Sequence, residues 1–149
     1  GQIVAEPLVA HRWGTSGEIR RQVEFLLEKV GLDPSMARRF PHEFSGGQRQ
    51  RIGIARAIAL KPSLIIADEP TTALDVSVRV QILELLARLQ SEIQSSYLLI
   101  THDLAVVKHY GQRVVVMEAG RIVEEGETSA VLSHPTHPYT QRLLDAVPR

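Results

Sequence analysis

Apolar positions in the first third of the chain recur with a helical period. Ile19, Val23, Leu26, Leu27 and Val30 fall at i, i+4, i+7, i+8 and i+11, and the spacing predicts a helix over about 18–30. Thr15 and Glu18 are spaced as a capping box, and Gly31 stands where a C′ glycine ends a helix. Asp33-Pro34 reads as the N-cap and first residue of a short second helix reaching about residue 40. A third helix is expected to begin just after Ser45 and to run to about residue 60, where Pro62 stops it.

Beyond Pro62 the pattern changes to short apolar runs alternating with helical stretches. Leu64-Ile65-Ile66-Ala67 is a continuous run, as in a parallel strand covered on both faces. A helix over 78–90 comes next, with Asp75 or Ser77 as its cap, then a strand over 97–101 and a short helix over 104–110. Residues 113–117 and 121–124 flank Glu118-Ala119-Gly120 and predict a hairpin, and a helical tail is expected after Pro135 and Pro138. Strands alternating with helices make an α/β fold with a helical lobe in front of it.

Three places along this pattern bear candidate chemistry. At Ser45-Gly46-Gly47-Gln48, Ser45 and Gln48 can form a capping box and nothing more. The same helix start also offers free N–H groups, a positive dipole end and close backbone approach to a phosphate. At the end of the apolar run, Asp68 and Glu69 stand at the carboxyl end of a strand, where ligands bind in open α/β sheets. There Asp68 could hold Mg²⁺ and Glu69 could orient or deprotonate a water, although a solvated acidic turn would look the same. His102 follows the second strand and could hydrogen-bond a terminal phosphate; a lone histidine in such a place is more often structural. His134 and His137, with two residues between them, lie in a Pro-rich stretch without a third metal ligand, which favours a structural role.

Composition narrows the classes. With 149 residues the chain is long enough for one domain with a sizeable core. Seventeen Lys+Arg balance seventeen Asp+Glu, so no excess positive field draws the chain to nucleic acid. Apolar residues at 44% and charged residues at 23% fit a globular domain and argue against long disorder. Cysteine is absent, which removes disulfides and thiolate metal sites.

Taken in order, Phe44-Ser45-Gly46-Gly47-Gln48-Arg49-Gln50-Arg51, the apolar run into Asp68-Glu69-Pro70-Thr71, Ala73-Leu74-Asp75 and Thr101-His102-Asp103 resemble the ATP-binding subunits of ABC transporters. They match the signature motif, the Walker B strand, the D-loop and the switch histidine of that family, with Phe44 where many members carry Leu. Ala5-Glu6-Pro7-Leu8, Pro41-His42-Glu43-Phe44 and His134-Pro135-Thr136-His137-Pro138-Tyr139-Thr140 are similar to its oligopeptide/dipeptide importer branch. The resemblance implies part of a P-loop-type ABC ATPase domain: a helical subdomain carrying the signature over 1–60, the C-terminal part of the catalytic core over 61–133 with a mostly parallel sheet, and a helical tail over 134–149.

It also implies roles. Ser45, Gly46, Gly47 and Gln48 would touch the γ-phosphate of ATP held by a second ATP-binding subunit packed head to tail. Asp68 would hold Mg²⁺, Glu69 and His102 would be catalytic, and Asp75 would link the two sites. The partners implied are that second subunit and membrane-spanning permease subunits, on the cytoplasmic face of a prokaryotic cell membrane. A cysteine-ligated iron–sulfur cluster, present in some members, is excluded here.

One motif is missing. No Gly-x-x-x-x-Gly-Lys-Ser/Thr loop occurs, since none of the three lysines, Lys29, Lys61 and Lys108, follows a glycine. The stretch after Gln2 matches the segment just past the family's glutamine-bearing loop, so Gln2 is given no role. The expectation is therefore the C-terminal portion of a longer importer ATPase, inactive alone and prone to self-association through uncovered apolar surface. Two other readings stand beside it: a non-catalytic interaction fragment, and an ABC-type ATPase of DNA repair or translation. The balanced charge and the 134–140 stretch argue against the latter.

Overall fold

The computed structural model describes residues 1–146, and the chain divides into two units, the first running from Gly1 to Leu98 and the second beginning at Leu99. The first unit holds helices α1 (Gln2–Ala10), α2 (Ser16–Lys29), α3 (Gly46–Ile58) and α4 (Val76–Ile93), two short 3-10 turns (Pro34–Arg38 and Pro41–Glu43) and strand β1 (Leu64–Asp68). Strand β2 (Ser96–Ile100) lies beside β1 in a two-stranded sheet, and the division between units falls within it. The second unit contains α5 (Leu104–Tyr110), an antiparallel hairpin of β3 (Arg113–Glu118) and β4 (Arg121–Glu127), α6 (Thr128–Ser133) and α7 (Pro138–Asp145).

Local signals set most of these boundaries. Thr15 caps α2 by a full capping box: its hydroxyl accepts from the Glu18 amide, and the Glu18 carboxylate accepts from the Thr15 amide at 2.8 Å. Gly31, at φ +74°, lets the chain leave that helix in the left-handed region. Two arginines then serve the carbonyls left over at the helix end: Arg51 donates to Val30 O at 2.7 Å and Arg88 to Lys29 O at 2.8 Å. These bonds tie α2 to α3 and α4. The stretch after Asp33 forms a 3-10 turn, with the Asp33 carboxylate accepting from the Ser35 amide.

Helix α1 has no counterpart in the apolar pattern. Pro7 lies inside it, where a proline removes a donor and ordinarily ends a helix. Val4 and Leu8, one turn apart, are fully buried and anchor it, and Glu6 pairs with Arg56 of α3 at 2.8 Å. The core of the first unit collects Val4 and Leu8 with Val23, Leu26, Leu27 and Val30 of α2 and its cap, Ile54 and Ile58 of α3, Ile65 of β1, and Ile82, Leu86 and Leu89 of α4.

Strand β1 departs from the expectation of cover on both faces. Ile65 is 8% exposed and joins the core, whereas Leu64 is 51% and Ile66 62% exposed. Only alternate side chains meet the helical core, because successive side chains point to opposite sides of a strand and the sheet has one buried face. In the second unit, Ala119 (φ +49°) and Gly120 (φ +76°) form a two-residue turn with both residues in the left-handed region, which suits a tight hairpin. A bulge between Val116 and Met117 shifts the register, so Val116 opposes Glu124 but Met117 opposes Ile122.

Candidate functional site

Ser45 sits in extended geometry at the start of α3, and its hydroxyl accepts from the Gln48 amide at 3.3 Å while Gln48 Oε1 accepts from the Ser45 amide at 3.0 Å. The capping box is formed, so the helix start is preorganised with its first amides clustered at the dipole's positive end. Phe44 in front of it is buried, and its carbonyl accepts from the Arg49 guanidinium at 2.9 Å.

The two glycines differ in their surroundings. A Cβ on Gly46 would rest 3.5 Å from Leu74 Cδ2, an ordinary contact, whereas a Cβ on Gly47 would lie 2.6 Å from Val78 Cγ1. Gly47 is therefore required by close packing of α3 on the start of α4. That packing brings Ser45–Gln48 together with Leu74, Asp75 and Val78. Asp75 is the N-cap of α4, its carboxylate accepting from the Val78 amide at 2.9 Å and from the Ser77 hydroxyl at 2.7 Å. The Val78 amide first, then the Ser77 hydroxyl, hold the Asp75 carboxyl below its ordinary range.

Asp68 ends β1 as an exposed carboxylate, and the chain turns at Glu69. Glu69 has φ +44°, a left-handed conformation that costs a non-glycine residue roughly 1–2 kcal/mol. The turn is closed by the Thr72 amide, which donates to Glu69 O at 3.3 Å, and by the Thr72 hydroxyl, which donates to Glu69 Oε2 at 2.9 Å. Motif reasoning from the sequence passes over Thr72; its i+3 spacing from Glu69 after a strand end is the signal that could have found it.

His102 lies in the second unit, exposed between β2 and α5, beside Asp103, which caps α5 through the Ala105 amide. His137 takes a structural part: its ring Nδ1 accepts from the Tyr139 amide at the start of α7. Glu124 of β4 gathers the loop before that helix, accepting from the Thr136 amide (2.8 Å), the Thr136 hydroxyl (2.9 Å) and the His137 amide (3.1 Å). The Thr136 amide leads these bonds in pulling the Glu124 carboxyl down to about 2.

Among the described residues no group of three His, Cys, Asp or Glu side chains could enclose a metal ion. The exposed carboxylate of Asp68 at the strand end instead fits Mg²⁺, which takes one or two carboxylates and fills its shell with phosphate and water oxygens. The Gly-bearing start of α3 fits an anionic phosphate in the same way.

Comparison with known proteins extends this. The model of the ABC transporter family matches residues 2–72, and that of the oligopeptide/dipeptide transporter C-terminal region matches residues 123–149. The chain is similar to the oligopeptide transport ATP-binding protein AppF of Bacillus subtilis, with 53% identity over 98% of this chain and 44% of that protein. The glutathione import ATP-binding protein GsiA of Salmonella typhimurium is 55% identical over 99% of this chain and 24% of its own length. The chain thus spans less than half the length of these relatives. Among solved structures, the ATP-binding cassette MJ0796, described as a dimer in a post-hydrolysis state with ADP and Pi, superposes with a TM-score of 0.72 at 34% identity, covering 84% of this chain and 54% of that one.

Proposed function

Since the chain belongs to the ATP-binding proteins of the ABC transporter family, we propose that it serves in the ATP-hydrolysing subunit of an importer for oligopeptides, dipeptides or a related small solute such as glutathione. The observation that carries the proposal is the pairing of an ABC match over 2–72 with the oligopeptide/dipeptide C-terminal region over 123–149. That subunit would work against separate permease subunits at the cytoplasmic membrane face, as the similarity to importer ATP-binding proteins supports.

The chemistry rests on the residue types. ATP supplies the scissile phosphoanhydride and, with Mg²⁺, the charge that the site must balance. Asp68 would hold Mg²⁺, which when bound would supply charge neutralisation at the phosphates. Glu69 orients a water and accepts its proton as the water oxygen bonds to the γ-phosphorus and the bond to the β–γ bridging oxygen breaks, so that ADP leaves with the electron pair. His102 donates to a γ-phosphate oxygen. Ser45 and the amides of Gly46, Gly47 and Gln48 act in trans, on the γ-phosphate of a second, head-to-tail ATP-binding subunit. Asp75, whose carboxylate steadies the start of α4, links the two sites.

The test is Glu69→Gln in the intact ATPase. Turnover falls by about 10²-fold or more, the lower bound for losing a general base, while ATP binding persists and the dimer is retained in size-exclusion chromatography. Unchanged turnover would remove Glu69 from the mechanism. The 149-residue chain itself carries no Gly-x-x-x-x-Gly-Lys-Ser/Thr loop. Titrated with Mg²⁺ and a fluorescent ATP analogue it shows no saturable micromolar binding; saturation in that range would mean that the phosphate site forms without such a loop.

A further inference from the structure

Resting on the reading of Glu69 as the base, we propose that Thr72 is a positioning residue for hydrolysis, one that aims the Glu69 carboxylate through its own hydroxyl. Three observations converge on it. The Thr72 hydroxyl donates to Glu69 Oε2 at 2.9 Å, a bond between neutral donor and charged acceptor and therefore stronger than an ordinary surface hydrogen bond. Glu69 itself is held in the left-handed region, which directs its side chain differently from a residue continuing the strand. The Thr72 amide returns to Glu69 O at 3.3 Å, so backbone and side chain of Thr72 both grip the residue that changes the chain's direction.

The need for such a device is physical. A glutamate has three rotatable side-chain bonds, and both carboxylates of the pair Asp68-Glu69 are exposed at the strand end. A glutamate carboxylate has several rotamers open to it, of which few place an oxygen within hydrogen-bond reach of an attacking water, so each bond that selects among them bears on the chemistry. A β-branched threonine is stiff at χ1, so its hydroxyl is a fixed donor three residues downstream. Held through Oε2, the carboxylate keeps one orientation toward the water it serves. The buried neighbour Thr71 and the half-buried Leu74, whose amide donates to Thr71 O at 3.2 Å, fix the backbone from which Thr72 projects.

This role differs from that of a turn-former. Thr72→Val keeps the β-branched shape, the exposed position and the amide bond to Glu69 O, and removes only the hydroxyl. In the intact ATPase, Thr72→Val lowers kcat about tenfold and leaves KM for ATP within about twofold, as expected when a charge-assisted hydrogen bond that aims a catalytic group is lost. Thr72→Ser, which restores a hydroxyl, recovers turnover. In a Glu69→Gln background Thr72→Val has no further effect, because the two residues act as one unit. An unchanged kcat in Thr72→Val, or an equal fall in both backgrounds, would overturn the positioning role while leaving Glu69 as the base. A Glu69→Gln protein with full turnover would instead overturn the underlying reading, and the inference with it.

Discussion

Gly47 and Val78 are in contact so close that no side chain fits between them: a Cβ on Gly47 would come within 2.6 Å of Val78 Cγ1. Valine is stiff at χ1 and cannot swing aside cheaply. Gly47→Ala gains up to about 1 kcal/mol of helix propensity but incurs roughly 1–3 kcal/mol of overpacking, so the net effect is destabilising. Urea denaturation of Gly47→Ala against the parent checks this. Adding Val78→Ala opens the space and recovers part of the loss, a coupling that shows the two residues share one contact.

Ser45 has two possible duties, and substitution separates them. Ser45→Ala removes the cap of α3 and costs about 1 kcal/mol in a denaturant melt. Ser45→Asp keeps an equally good cap and holds stability near that of the parent. It also places a negative charge where a phosphate would sit, so the intact ATPase loses turnover although its fold is sound. If Ser45→Asp hydrolyses ATP normally, Ser45 is a cap and nothing else.

Glu124 gives the second unit a pH dependence of definite sign. Its carboxyl is lowered from the ordinary value of 4.5 to about 2, led by the Thr136 amide. A group with a depressed folded value contributes stability that is present above the unfolded value and lost as pH falls through the folded one. Anchoring of the 134–137 loop is therefore intact at neutral pH and weakens from about pH 4.5 to about 2. The amide resonances of Thr136 and His137 in an NMR titration report it, with a midpoint near 2. In Glu124→Gln this low-pH transition disappears.

The exposed face of β1 predicts association of the chain when isolated. Leu64 and Ile66 project from the same face, and uncovered apolar sheet surface drives self-association. Light scattering of the 149-residue chain shows a mass above that of a monomer, and Ile66→Lys lowers it without lowering the melting temperature. A monomeric parent would show that this face is tolerated by water.

The helices beginning at Ser16, Gly46, Val76 and Leu104 are legible because each is announced by its neighbours: a capping residue one position before the start and an apolar stripe after it. The hairpin is legible from Ala119-Gly120 between apolar runs. Helix α1 is not, since Pro7 opposes it locally and only burial of Val4 and Leu8 in the core outweighs that cost. Nor can an apolar run such as Leu64-Ile65-Ile66-Ala67 tell one covered face from two, because hydrophobicity records what a strand can bury, not what is packed against it.

What the sequence by itself determined is the order of the chemical groups: a Gly-bearing helix start, paired carboxylates after an apolar run, and a histidine after the next strand. These depend on residue type and near neighbours, which the chain states directly. Tertiary structure alone decided that Gly47 abuts Val78, thirty-one positions away, and that Arg51 and Arg88 close the end of α2. Such relations arise from packing and from backbone reversals, and the physics that sets them acts through space, where distance along the chain carries no information.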